Sequence, residues 1–186
     1  RSFLRWMHYS QGAVPDMKAL TVTTTHQEFK KFIDAKILSV TEVHAAQRIT
    51  DSVFLINQET PSFLDYLSVA MAVWAPVNGH VCINLGNIGE QIREETGAYD
   101  GNVDPNLQDP IEWPDLTDWH KHLANSPLVS IPNPENIDHV DFSKPLVLFG
   151  EMLYLTRQWV DEGCVAQALR TRLTAPPTPL PQDADM

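Results

Sequence analysis

Cysteine, positive charge and long apolar runs are all scarce in this chain, and each scarcity excludes something. Cys82 and Cys164 are the two cysteines in 186 residues. That is too few for a disulfide framework, which points to a reducing compartment and leaves a single bridge between them open. Lys and Arg number 13 against 24 Asp and Glu, a formal charge of −11. So acidic a chain repels a phosphate backbone, because nonspecific nucleic-acid affinity comes from cations that displace condensed counterions. No stretch approaches the roughly 18 apolar residues of a membrane span, and Arg1-Ser2-Phe3-Leu4-Arg5-Trp6-Met7-His8 lacks the apolar core of a signal peptide. The expected address is the cytoplasm. Residue 1 is not Met, so a chain trimmed or cut from a longer protein is expected.

The glycines are equally uninformative for cofactors. No lysine follows any of the 8 glycines, which removes the Gly-x-x-x-x-Gly-Lys phosphate loop, and no Gly-x-Gly-x-x-Gly run follows a strand pattern. No Gly-x-Ser-x-Gly elbow is present either. The expectation is no cofactor and no catalytic residue in this chain.

What is present reads as one ordinary domain, since 43% hydrophobic and 20% charged residues suffice for a core without staples. Residues 1–24 show no clean period and read as an N-terminal arm. Thr25-His26-Gln27-Glu28 has capping-box spacing and opens a helix over about 25–35, and Ser39-Val40-Thr41-Glu42 opens another over about 41–56. Pro61, placed in a first turn, precedes a broad apolar stripe of Phe63, Leu67, Ala70, Met71 and Trp74, which Pro76 and Gly79 end. His80 to Leu85 reads as a strand, with a helix over about 87–96 behind it.

From Glu90 through Asp118 nine acids stand against Arg93 alone, and Gly97 to Pro110 reads as a mobile acidic loop. Pro114 then begins a helix carrying Leu116, Trp119 and Leu123, and Leu128 to Ile131 reads as a short strand. Two apolar runs, Leu146–Phe149 and Met152–Leu155, flank Gly150-Glu151, the pattern of a type II′ hairpin. A last helix spans about 157–173, and Pro176, Pro177, Pro179 and Pro181 make residues 174–186 an extended linker. The fold class is therefore α+β: a mainly helical single domain around a small antiparallel sheet with a C-terminal hairpin.

Few side chains suggest chemistry. His80 and Cys82, two apart on a strand, offer an imidazole and a thiolate to zinc, but two ligands do not make a site and packing is the plainer reading. His120 and His122 diverge by about 200° on a helix. Trp113 and Trp119 flank the acidic stretch and are the candidate interface residues, because tryptophan is enriched at desolvated hot spots. Core packing is the competing reading for both. The acids themselves suit a solvated surface better than an acid/base pair, which needs environments that separate two pKa values.

Several segments together resemble a known family. Val43-His44-Ala45-Ala46-Gln47-Arg48, Gly79-His80-Val81-Cys82-Ile83-Asn84-Leu85, Glu112-Trp113-Pro114 through Trp119, Ser126-Pro127-Leu128-Val129 and Leu146 through Trp159 are similar, in order and spacing, to the N-terminal region of RecD. RecD is the alpha subunit of exodeoxyribonuclease V, and the form resembled is actinobacterial. The resemblance implies that residues 25–173 are an assembly domain of an ATP-driven 5′-to-3′ helicase in double-strand-break repair. It implies docking onto RecC-like and RecB-like partners, contact with DNA only through the holoenzyme, no membrane, and ATP and Mg bound by motor domains outside these residues. None of the family's catalytic motifs falls within the chain. Two further readings compete with it: a small hydrolase using acids near Trp113, and an acidic DNA mimic.

Overall fold

Two boxes of Ser followed three residues later by an acid fix the starts of the central helices. The computed structural model describes residues 21–96, 111–133 and 140–174, and of these every side chain but those of 21–26 and 96. Helix α1 spans Thr21–Asp34, α2 Val40–Asn57 and α3 Phe63–Val77. At α2 the Ser39 amide donates to Glu42 Oε2 at 2.6 Å while the Glu42 amide donates to Ser39 Oγ at 3.3 Å, so two orphan donors are satisfied reciprocally. Ser62 and Asp65 do the same for α3, at 2.8 and 3.4 Å.

Pro61 therefore precedes the cap instead of occupying the first turn. The Thr25 box, in turn, does not start α1, which already runs from Thr21. With helix upstream of Thr25, the amides its side chain would serve are paired within the backbone. Helix α1 ends in a six-residue closure: Ile37 N–H donates to Phe32 O and Lys36 N–H to Ile33 O, both at 2.9 Å, with Lys36 left-handed at φ 57°.

After α3, Gly79 at φ 84° turns the chain into β1, Cys82–Asn84. A 3-10 turn, Leu85–Asn87, leads into α4, Ile88–Thr96. Asp115 caps α5, Leu116–Asn125, by accepting from the Thr117 and Asp118 amides. The strands β2 (Val129–Ser130), β3 (Leu146–Phe149) and β4 (Met152–Leu155) follow, then α6, Thr156–Thr174. Gly150 has φ 60° and Glu151 does not share its sign, which is the type II′ turn read from the sequence.

The sheet order is β1-β4-β3-β2. Strand β4 pairs antiparallel with β1 and β3, as expected, but β2 lies parallel to β3, so the sheet is mixed. The reason is length. Parallel neighbours need a crossover of about a dozen residues or more, and residues 131–145 supply one. The α+β single domain stands, with one strand pair turned around. The acidic loop 97–110, the arm 1–20 and the tail 175–186 lie outside the described residues.

Helix α3 is the centre. It packs on α2, α5, β1 and β4, and Leu67, Ala70, Met71 and Trp74 are at most 2% exposed. A helix apolar on nearly all sides is buried on nearly all sides. Phe29 and Phe32 of α1 and Ile83, Leu148 and Leu153 of the sheet belong to the same buried cluster.

Candidate functional site

The two candidate tryptophans have different surroundings. Trp119 is 0% exposed, and its Nε1 donates to Ser68 Oγ of α3 at 2.7 Å. Its ring is spent on the core, on the same stripe as Leu123, and presents nothing to a partner. Trp113 is half-buried: it packs edge-on to Phe32 at 5.6 Å, and a Cβ at Gly89 would stand 3.2 Å from its Nε1. Glycine at 89 therefore lets the indole lie against α4, and part of the ring remains on the surface.

His80 and Cys82 diverge. His80 stacks on Trp74 at 5.7 Å and stands 2.9 Å from Glu95 Oε1, out of line with the ring N–H. Cys82 donates to Met152 Sδ at 3.8 Å on the neighbouring strand. Burial pushes its thiol pKa up, against the opposing pull of a hydrogen bond with Tyr154. A thiol held protonated is a poor nucleophile and a poor metal ligand. Among the described residues no cluster of three His, Cys, Asp or Glu could hold a metal ion. Cys82 and Cys164 are both free thiols.

Among the described residues the acids near Trp113 do not converge. Glu112, Asp115 and Asp118 are exposed, and Asp115 serves as the α5 cap. His120 turns to Gly150 O at 3.2 Å and His122 to Asp65 at 3.0 Å, the divergence that helical spacing requires.

The sequence reading missed the cluster around Asp65. This carboxylate is 2% exposed and accepts from Ser62 N and Ser62 Oγ on Oδ2, both at 2.8 Å, and from Ser126 Oγ on Oδ1 at 2.8 Å. His122 Nε2 completes the set. The group borders a cleft of about 420 Å³ between the start of α3 and the end of α5. Ser62, His122 and Asp65 have the residue types of a nucleophilic triad without its wiring. Both Ser62 Oγ, at 3.3 Å, and Asp65 Oδ1 approach the same ring nitrogen, Nε2, whereas proton relay needs acid and hydroxyl on opposite nitrogens. The Ser62 proton already points at the carboxylate. The arrangement is a clamp between two helices. Its Ser-x-x-Asp half was legible as a capping box, but nothing in the sequence linked it to His122 and Ser126, some sixty residues away.

Among the described residues one helix is left largely uncovered. Trp159 anchors the first turn of α6 between Phe149 and Tyr154, with ring centroids 5.5 and 5.1 Å away. Beyond it every residue to Thr174 is exposed, and none of the 19 residues of α6 is buried. Val165, Leu169 and Leu173, 61%, 54% and 84% exposed, form an apolar stripe at four-residue steps. No helix among the described residues is long and apolar enough to cross a membrane.

Residues 34–154, from the end of α1 into β4, match the family model described as the N-terminal domain of RecBCD enzyme subunit RecD. The RecBCD enzyme subunit RecD of Mycolicibacterium smegmatis is 32% identical over 143 residues, which are 77% of this chain and 20% of that protein. Its namesake in Mycobacterium tuberculosis is 29% identical over 147 residues, 78% of this chain and again 20% of the relative. The chain thus matches about a fifth of the length of these relatives. With the matched residues spanning α2, α3, all of the sheet but the last residue of β4, and the Asp65 clamp, the chain belongs to the RecD N-terminal domain family.

Proposed function

We propose that this chain is a non-catalytic assembly domain of a RecD-like subunit of a RecBCD-type enzyme, and that it docks a 5′-to-3′ helicase motor onto a RecC-like subunit. ATP and magnesium belong, on this reading, to motor domains outside these residues, and DNA is met only through the assembled enzyme in break repair and recombination. The observation that carries the reading is α6. In proteins most helix stability comes from packing an apolar face rather than from propensity, and among the described residues nothing buries the face of Val165, Leu169 and Leu173. A stable protein contact buries about 800 Å² on each partner, which a stripe of this kind begins to supply. Family membership supports the RecD part of the proposal, and the charge of −11 supports the indirect route to DNA.

The hydrolase reading finds no support among the described residues, because Glu112, Asp115 and Asp118 are solvated and Asp65 already accepts from the Ser62 cap and from Ser126. The DNA-mimic reading rests on residues 97–110, which lie outside the described structure. The test is deletion of residues 21–174 from the full-length subunit, followed by co-purification with the other subunits of its complex. Loss of association is expected, and the domain alone should show no ATP turnover. Undiminished association, or ATP hydrolysis by the isolated domain, would refute the proposal.

A further inference from the structure

The chain is strongly acidic, yet one groove on it is lined by cations. It lies between α2 and the segment 142–145, holds about 680 Å³, and is open to solvent along its length. Arg48 of α2, Lys144 and Arg157 form its rim, while Val53, Phe142 and Leu155 supply apolar walls, and no carboxylate is found among the described residues lining it. Three of the chain's 13 basic residues therefore meet at one place.

The segment is pinned from several sides. Asp141 N–H donates to Ser130 Oγ at 3.0 Å, Lys144 Nζ to Val129 O at 2.9 Å, and Thr156 Oγ1 to Lys144 O at 2.6 Å. Asp141, the nearest acid in sequence, spends its carboxylate on Ser143 N and Oγ at 3.0 and 2.6 Å. Phe142 nevertheless stands 68% exposed on this fixed backbone. A large ring held outward by a pinned segment loses little freedom on binding, which is how a preorganised anchor gains affinity. Arg157 stands 3.9 Å from Asp161, and the pair is largely solvated. Its charge remains available to the groove.

We infer that this groove receives an acidic, apolar-bearing peptide segment of a partner subunit. The inference rests on the assembly reading above and deepens it by giving the partner's chemistry. The apolar walls take a side chain such as Leu or Phe, and the rim takes carboxylates flanking it. A nucleic-acid strand fits less well. Grip on a phosphate backbone grows with the number of cations that displace condensed counterions, and only three line this groove, within a field of −11.

The experiment uses the full-length subunit within its complex. With Phe142→p-benzoylphenylalanine, irradiation of the assembled enzyme with and without duplex DNA should give a cross-link to a partner-subunit segment that has acidic residues within a few positions. A cross-link to DNA, to another part of the same chain, to a non-acidic segment, or to nothing overturns the inference. The pair Arg48→Glu and Arg157→Glu, checked for an unchanged circular-dichroism spectrum, should weaken association with the partner subunits by about tenfold or more and flatten its salt dependence. A smaller effect counts against the groove. If deletion of residues 21–174 abolishes association while this pair leaves it intact, the groove falls and the assembly reading survives. If the deletion has no effect, the assembly reading itself falls.

Discussion

Replacing Asp65 by alanine tests whether the clamp holds α3 to α5. The carboxylate is 3% exposed at its side chain and accepts four contacts, two from Ser62, one from Ser126 and one from His122. Removing it takes away half of a capping box, which is about 1 kcal/mol. It strands the Ser126 hydroxyl, whose residue is 7% exposed, and a buried orphaned donor costs about 1–3 kcal/mol. Ser62 is exposed and His122 half so, and both can turn to water; their loss adds about 1 kcal/mol at most, since solvated pairs are worth little. The sum is about 2–5 kcal/mol, a large share of the 5–15 kcal/mol that holds a typical domain together.

His122→Ala should be much milder, at about 1 kcal/mol, because the carboxylate keeps its three serine donors. Urea unfolding, followed by circular dichroism and by tryptophan fluorescence, measures both variants. The midpoint should fall at an unchanged m-value. A loss below about 1 kcal/mol for Asp65→Ala, or an equal loss for the two variants, would show that the clamp does not bear on stability as argued.

Three further outcomes are expected. Gln58 holds φ 56° at the exposed end of α2, so Gln58→Gly should relieve about 1–2 kcal/mol of left-handed strain, less the entropy of glycine, and raise stability by about 0.5–1 kcal/mol. Trp119→Phe should lower it by about 2–3 kcal/mol through lost volume, with Ser68 still donating to Leu64 O at 2.6 Å; a near-neutral change in urea midpoint would mean that the ring is not packed as described. Burial, followed by the hydrogen bond to Asp51 at 2.6 Å, raises the Tyr66 phenol above its ordinary value of 10.0. A raised folded value means that stability is full below that ordinary value and drains away as pH climbs through the folded one. Melting temperature should therefore fall above pH ~10, and Tyr66→Phe should flatten that fall; parallel curves would contradict it.

Local rules wrote much of the fold legibly. Ser39 with Glu42 marked α2 within a residue, and Gly150 marked the II′ hairpin outright, because capping and left-handed turns depend on residues three or fewer apart. The apolar stripe of Leu116, Trp119 and Leu123 also held the answer to whether Trp119 is core or contact, and the burial of Trp119 and Leu123 follows it. What could not be read was anything joining distant segments. The parallel pairing of β2 with β3 depends on where residues 131–145 carry the chain. The Asp65 clamp depends on α5 ending beside the start of α3, which no periodicity encodes. Thr25 shows the converse failure: a box with the right spacing has no effect once helix already lies upstream of it.

The distribution of satisfied and unsatisfied groups separates an interface from a reaction centre. Asp65, Asp115 and Asp141 all use their oxygens on backbone amides or nearby hydroxyls, and a carboxylate committed in this way has little capacity left to take a proton from a substrate. Burial pushes the Cys82 thiol pKa up, and His122 faces acid and hydroxyl through one nitrogen. Buried Thr50 Oγ1 and His80 Nε2 lack a hydrogen-bond partner among the described residues, but the groups displayed outward on the two candidate surfaces are apolar: the stripe of α6, anchored at its first turn by Trp159, and the ring of Phe142, on backbone that a set of hydrogen bonds holds still. Rigid apolar anchors with charge at their rim are what association requires, since their binding loses little conformational entropy.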